Sequence, residues 1–162
     1  MCKDYVKTEF TSQSENESLA RIIVSAFIAR LDPTLEELDD VRTAVSEAVT
    51  NAIIHGYHEE DGIVFLTCQL EDHTLTITVE DQGVGIDDLA QAMQPLYTSK
   101  PEEERSGMGF TMMETFMDHL TVDSKPGQGT KVVMIKSFRC SGEEAIHDGT
   151  SAQSQAGGFE QP

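Results

Sequence analysis

The sequence predicts a two-layer α/β (α+β) sandwich, in which a mixed, mainly antiparallel sheet is covered by helices on one face. Apolar residues recur at helical spacing in two long segments of the first third of the chain. Later segments alternate apolar and polar residues with a period of two and are separated by short turns containing Gly, Asp or Pro. Helices and sheets that are apolar on one side bury those sides by packing together in layers.

Length and charge narrow the classes of function. The chain has 162 residues, enough for one domain with a single core, and its net charge of -18 would repel the phosphate backbone of a nucleic acid. The three cysteines are far apart and form no Cys-x-x-Cys pair of the kind that binds zinc. Since no secretory signal or membrane-length apolar run is visible, we expect a cytoplasmic protein.

The N-terminal part predicts one strand and two helices. Loose alternation over residues 5–11 favours a strand, and apolar residues at helical spacing over 19–31 predict the first helix. Pro33 or Thr34 begins a second helix, which we expect to run from about residue 35 to residue 55 and to end at Gly56.

The remaining chain alternates short strands with helices. We expect residues 1–138 to form the domain and 139–162, rich in Ser, Gly, Gln, Glu and Ala without periodicity, to form a disordered tail. The predicted elements after Gly56 are, in order, strands at 63–70 and 74–80, a short helix at 87–93, a polar loop or lid at 95–106, a helix at 110–120, and strands at 121–124 and 130–137.

Glu47 and Asn51 lie one turn apart on the second predicted helix, at the edge of its apolar face. The neutral oxygen of Asn51 suits a magnesium ion that also carries phosphate ligands. The carboxylate of Glu47 could accept a proton from an attacking hydroxyl or water. Taken alone, the pair is more typical of a solvated helix face than of a functional site.

A glycine-containing turn follows the 74–80 strand. Asp81 could accept a hydrogen bond from the exocyclic amine of adenine, and Gly83 and Gly85 would let the backbone approach a flat ring or a phosphate closely. An ordinary tight turn is the alternative interpretation.

A second glycine segment ends the polar loop and begins a helix, where exposed backbone N–H groups can bind an anion. Arg105 and Lys100 could bring positive charge to phosphate groups in this acidic chain. The candidate nucleotide-binding residues of this region are Ser99, Lys100, Ser106, Gly107, Met108 and Gly109.

In this order, and followed by Gly129-Thr130, these motifs resemble the Bergerat-type ATP-binding fold of gyrase, the Hsp90 chaperones, histidine kinases and MutL over residues 5–137. Segments 45–57, 94–101 and 104–110 are similar to those of the anti-sigma F factor family of endospore-forming bacteria. No phosphoacceptor-histidine helix pair precedes the motifs, which disfavours a sensor histidine kinase.

The resemblance implies a homodimeric, ATP- and Mg²⁺-dependent protein serine kinase with two protein partners. It would inhibit a sporulation sigma factor and phosphorylate a serine of an anti-anti-sigma protein. Two alternatives are a sequestering module that uses ATP only as a structural ligand, and an anti-sigma kinase that serves a stress-response sigma factor.

The resemblance also implies a role for individual residues. Arg21 matches a position that contacts both protein partners, although an ion pair with Glu17 on the helix surface is an equally good interpretation. The other implied roles are general base for Glu47, magnesium ligand for Asn51, adenine contact for Asp81, stabilisation of the γ-phosphate for Arg105, and a place near the adenine for Thr130.

Overall fold

The computed structural model describes residues 3–58, 60–95 and 108–139. These residues form a five-stranded sheet in the order β1-β2-β3-β5-β4. All four strand pairings in it are antiparallel. The prediction of a mainly antiparallel sheet is confirmed, whereas the predicted mixture with parallel strands is wrong for the described residues. The strands are β1 (Lys3–Thr11), β2 (Ile63–Glu71), β3 (Thr74–Asp81), β4 (His119–Lys125) and β5 (Gly129–Ser137).

Helices cover one face of this sheet. None of the described helices is both long and apolar enough to cross a lipid bilayer. The helices are α1 (Asn16–Ile28), which continues into a 3₁₀ turn (Ala29–Leu31), α2 (Leu35–Asn51), which continues into a π-helical turn (Ala52–Gly56), α3 (Leu89–Ala92) and α4 (Gly109–Phe116).

The start of α2 is set by a reciprocal cap. The hydroxyl of Thr34 accepts a hydrogen bond from the Glu37 backbone N–H at 3.2 Å, and the Glu37 carboxylate accepts one from the Thr34 N–H at 2.9 Å. This capping box satisfies two backbone donors that a helix start leaves unpaired, and it confirms the predicted beginning of the second helix.

One hydrophobic core lies between the sheet and the helices. Burial alternates along β2 and β3, so each strand turns one face to the helices, as predicted from the period of two. The free thiol of Cys68 is part of this core, where burial raises its pKa to about 12 and makes it unreactive. The two-layer fold class is therefore confirmed.

Lys136 is a buried charge on the core side of β5. Its Nζ donates to Asp40 Oδ2 of α2 at 3.1 Å and to the Phe116 backbone oxygen at 2.7 Å. Phe116 is the last residue of α4, where a cation also interacts favourably with the helix dipole. Lys136 thus ties the end of α4 to α2 and to the sheet.

Two helix ends were predicted wrongly. The predicted helix at 110–120 ends at Phe116, because residues 119–125 pair with β5 and the Asp118 N–H donates to the Ile135 oxygen at 2.9 Å. The second helix leaves the α-helical pattern after Asn51 and not at residue 55. The short helix also covers only 89–92 of the predicted 87–93.

Two predicted segments fall almost wholly outside the described residues. They are the polar loop at 95–106, apart from Pro95, and the tail at 139–162, apart from Arg139.

Candidate functional site

A cavity of about 600 Å³ opens between α2, α4 and the adjoining ends of β3 and β5. This volume is in the range of small-molecule and cofactor sites. Its lining residues come from six parts of the chain. The end of α2 and the residues after it supply Ala48, Asn51, Ala52, His55, Gly56 and His58, and the segment after β3 supplies Val84, Gly85, Ile86, Asp87, Asp88, Gln91, Ala92 and Gln94. The remaining lining residues are Val79 and Asp81 of β3, Gly109, Phe110 and Thr111 of α4, and Thr130 and Val132 of β5.

At one end of the cavity, α4 begins directly against the Glu47–Asn51 pair. A methyl group added to Gly109 would lie 3.1 Å from Glu47 Oε2 and 3.3 Å from Asn51 Oδ1, so only a residue without a side chain fits without displacement. Both polar side chains are half-buried, as predicted for the edge of the apolar face. The N–H groups in the first turn of a helix have no partner within that helix. At the start of α4 this turn therefore lies against both a carboxylate and an amide.

The π-helical turn brings the end of α2 to β3. The Tyr57 N–H donates to the Ala52 oxygen at 3.0 Å, which places one extra residue in the turn. Gly56 then lies so close to β3 that a side-chain carbon there would be 2.7 Å from Asp81 Oδ1. The turn thus connects the Asn51 end of the cavity to the Asp81 end.

Asp81 is a buried carboxyl group in the cavity wall, with 5% of its surface exposed. Burial raises the pKa of this carboxyl above its ordinary value, and hydrogen bonds from the backbone of Gly83 and Thr130 oppose that rise. The Gly83 N–H donates to Asp81 Oδ1 at 2.9 Å. One carboxylate oxygen is therefore held by the turn itself, and the group remains an acceptor for a ligand.

The turn after β3 requires its glycines. A side chain on Gly83 would overlap the Gly56 carbonyl oxygen, and Gly85 has a φ of +74° with the Lys125 oxygen against it. The Val84 N–H donates to the Gly56 oxygen at 2.9 Å, and the Gly127 N–H donates to the Val84 oxygen at 2.6 Å. The turn is thereby fixed between the end of α2 and the β4–β5 hairpin.

Tyr57 joins the same turn to the start of β2. Its hydroxyl donates to the Ile63 oxygen at 2.6 Å and accepts from the Gln82 N–H at 2.8 Å. Its ring packs against Gly62. Because Gln82 follows Asp81, this hydroxyl orients the peptide unit next to the buried carboxylate.

Replacing Tyr57 by phenylalanine is expected to lower the melting temperature by about 3 °C, since the two lost hydrogen bonds together contribute about 1 kcal/mol at this half-buried position. The affinity for ATP, the ligand that the sequence motifs predict, should fall severalfold as Asp81 loses its fixed position. Calorimetric melting and nucleotide titration measure the two effects. Tyr5→Phe, at a tyrosine that is 61% exposed on β1, is the matched control. An equal loss of stability in both variants would contradict the role of the Tyr57 hydroxyl.

The residues predicted for nucleotide binding and catalysis divide into three groups. Those that line the cavity are Asn51, Asp81, Gly85, Gly109 and Thr130. Glu47 and Gly83 lie next to this wall against Gly109 and Gly56, and Met108 is the residue before α4. The predictions for Ser99, Lys100, Arg105, Ser106 and Gly107 lie outside the described residues.

Arg21 lies on α1 and is not among the cavity residues. Its guanidinium is 3.3 Å from Glu17 Oε1 and donates to Ser18 Oγ at 3.1 Å. The helix-surface ion pair that the sequence suggested is thus present. The proposed contact with protein partners remains a prediction.

Sequence reasoning missed the apolar walls of the cavity and the hydroxyl groups of Tyr57 and Ser124 behind it. Val79, Ile86 and Val132 supply apolar lining beside Asp81 and Thr130. The alternation of β3 and β5 signals which residues are buried but not which of them face a ligand. Asp87 and Asp88 also line the cavity, and no lysine or arginine does so among the described residues.

Comparison with known proteins agrees with this arrangement. Residues 10–136 match the model of the family described as histidine kinase-like ATPase domain. The anti-sigma F factor of Clostridium beijerinckii is 58% identical over 85% of this chain and 97% of the relative. Those of Bacillus velezensis and Pasteuria penetrans are 56% and 57% identical, over 83% and 90% of this chain and 92% and 99% of the relatives.

Solved structures share the fold at low identity. The RsbU and RsbW domains of a Mycobacterium tuberculosis protein superpose with a TM-score of 0.60 at 18% identity, covering 83% of this chain and 32% of that one. Full-length ShkA in complex with AMPPNP gives a TM-score of 0.51 at 16% identity, covering 79% of this chain and 31% of that one. The chain thus spans less than a third of either structure, and these likenesses concern the fold alone. The family match, and the high identity over nearly the whole of each curated relative, show that the chain belongs to the histidine kinase-like ATPases and, among them, to the anti-sigma F factor family.

Proposed function

We propose that this chain is a cytoplasmic, homodimeric anti-sigma factor that inhibits a sporulation sigma factor and, with ATP and Mg²⁺, phosphorylates a serine of an anti-anti-sigma protein. The observation that carries the proposal is the cavity that joins the Glu47–Asn51 pair to the buried carboxylate of Asp81. The family membership of the chain supports the sigma-factor partner, since its relatives are named anti-sigma F factors.

The adenine of ATP is proposed to bind at the Asp81 end. The carboxylate is buried, accepts from the Gly83 N–H and still has lone pairs for the exocyclic amine of the base. Apolar side chains at Val79 and Val132 border this end and suit the faces of a flat ring. A charged acceptor fixed in an apolar wall favours a base with a hydrogen-bond donor at that position.

The phosphates are proposed to bind at the other end, where α4 begins beside Asn51. The described lining of the cavity contains acidic side chains and no lysine or arginine, so it does not by itself balance the charge of a triphosphate. The amide oxygen of Asn51 fits magnesium, which would supply positive charge between the nucleotide and this wall. Arg105 and Lys100 are proposed to add positive charge from the segment outside the described residues.

Glu47 is proposed as the general base. It lies one turn before Asn51, with its carboxylate against Gly109, next to the proposed phosphate end. In the transfer step the serine oxygen of the substrate bonds to the γ-phosphorus while the bond from phosphorus to the ADP oxygen breaks. Glu47 accepts the hydroxyl proton, and the α4 backbone N–H groups stabilise charge on the phosphoryl oxygens.

The proposal is tested by incubating the purified chain with radiolabelled ATP, Mg²⁺ and an anti-anti-sigma protein. We expect label on one serine of that protein and none when the serine is replaced by alanine. Co-purification with a sporulation sigma factor should succeed with ATP present. Sigma-factor binding without phosphoryl transfer would identify a sequestering module, and capture of only a stress-response sigma factor would overturn the sporulation assignment.

A further inference from the structure

Ser124 lies on β4 behind the cavity wall, and its hydroxyl contacts three groups. It accepts from the Ile86 N–H at 2.8 Å, donates to the Gly129 oxygen at 3.2 Å, and lies 2.8 Å from Thr130 Oγ1. Ile86 ends the turn after β3, and Thr130 lines the cavity, whereas Ser124 does not. One side chain outside the cavity therefore connects two parts of its wall.

Counting hydrogens decides the direction of the Ser124–Thr130 bond. A serine hydroxyl has one hydrogen to donate and lone pairs to accept with. The Ile86 N–H can only donate, and the Gly129 carbonyl can only accept. All three contacts are satisfied together only if Ser124 gives its hydrogen to Gly129 and Thr130 gives its own hydrogen to Ser124. Thr130 Oγ1 then has only lone pairs to offer the cavity.

Thr130 pairs with Asp81 across β3 and β5. The carboxylate of Asp81 is also an acceptor, so two neighbouring groups in the wall present lone pairs and no hydrogen. A 6-amino purine places an N–H donor at such a position, whereas a 6-oxo purine places a carbonyl oxygen there. Buried acceptors that face another acceptor lose their hydrogen bonds and repel it.

We propose that Ser124 is a positioning residue for base selection: it takes the hydroxyl hydrogen of Thr130 and so keeps this wall an acceptor surface that prefers 6-amino to 6-oxo purine nucleotides. This inference rests on the proposed function, since it assumes that a purine nucleotide enters the cavity. It assigns to Ser124 an effect on selectivity that acts only through Thr130.

The test compares ATP with inosine triphosphate, its 6-oxo counterpart, by calorimetric titration of the full chain in Mg²⁺. Ser124→Ala is expected to reduce the preference for ATP about tenfold, a loss equivalent to one hydrogen bond. Ser124→Thr keeps a hydroxyl and should restore the preference. In a Thr130→Val background, Ser124→Ala should have no further effect on the preference, because the group through which it acts is gone.

Equal weakening of both nucleotides by Ser124→Ala, or the same loss of preference in the Thr130→Val background, would reduce Ser124 to a structural role and overturn the inference. If Ser124→Ala does not fold, Thr130→Val alone decides, since an undiminished preference for ATP in that variant would also overturn the inference. A wild-type chain that binds neither nucleotide contradicts the proposed function. A wild-type chain that binds both equally and transfers phosphate contradicts only the role of Ser124.

Discussion

Replacing Glu47 by glutamine is expected to slow phosphoryl transfer to the anti-anti-sigma protein by a factor of about 10²–10⁴, the range that a general base contributes. Glutamine has nearly the same shape but cannot accept the proton of the serine hydroxyl. Its amide can still occupy the space against Gly109, so the start of α4 should not move. The ATP dissociation constant should therefore change little, and the loss should appear in kcat.

Single-turnover transfer and nucleotide titration on the same preparation separate these two quantities. Glu36→Gln, an exposed position in the first turn of α2, keeps the same change of charge away from the cavity and should leave both quantities unaltered. A loss of ATP affinity as large as the loss of rate would show that Glu47 acts in nucleotide binding and not in proton transfer. An unchanged rate would exclude it as the base.

Replacing Asp81 by asparagine is expected to weaken ATP binding about 100-fold. Relative to the wild type, the variant should be more stable at neutral pH than at acidic pH. The affinity falls because a charged acceptor for the adenine amine is lost and the new amide can turn its own N–H groups toward that amine. The relative gain in stability arises because asparagine is neutral at a site where burial disfavours a charge.

The pH dependence of stability follows from the raised pKa of Asp81. The native carboxyl keeps its proton to a higher pH than the unfolded chain, whose ordinary value is 3.8. The stability that the protonated group contributes is complete below that value and is lost as pH rises through the raised native pKa. Asparagine does not titrate, so the stability of the variant relative to the wild type should increase over this window and then level off.

Melting temperatures of both proteins from acidic to neutral pH measure this difference. Asp123→Asn, at an exposed position on β4, is the matched control and should show no such rise. A variant that becomes less stable relative to the wild type as pH increases would contradict the burial of an ionisable Asp81. Unchanged ATP affinity would contradict its proposed contact with the base.

Much of the site was predictable because its residues stand in local motifs. Helical spacing placed Glu47 and Asn51 on one edge of α2, and the order of strand, Asp81 and two glycines indicated a turn that a ligand can approach. Pro33 and Thr34 indicated where α2 begins, and the structure confirms this start and shows that Thr34 caps it. Each of these signals depends on residues close together in the chain.

The two wrong helix ends show where local signals fail. Apolar residues at 113, 116, 117 and 120 satisfy helical spacing, yet the chain turns into β4 after Phe116 because β5 offers backbone partners to residues 119–125. After Asn51 the composition still favours an α-helix, but the chain forms a π-helical turn that sets Gly56 against Asp81. Propensity is outweighed where distant backbone and side chains decide the hydrogen bonds.

By itself the sequence determined the two-layer fold class, the order of the elements and the motifs that suggest an ATP-dependent kinase, because hydrophobic periodicity, caps and glycine turns act over a few residues. Only the tertiary structure decided that Gly109 meets Glu47 and Asn51, that the hydroxyl of Tyr57 holds the turn beside Asp81, and that Ser124 contacts Thr130. These contacts depend on strand register and on a single extra residue in a helical turn, which no local pattern specifies.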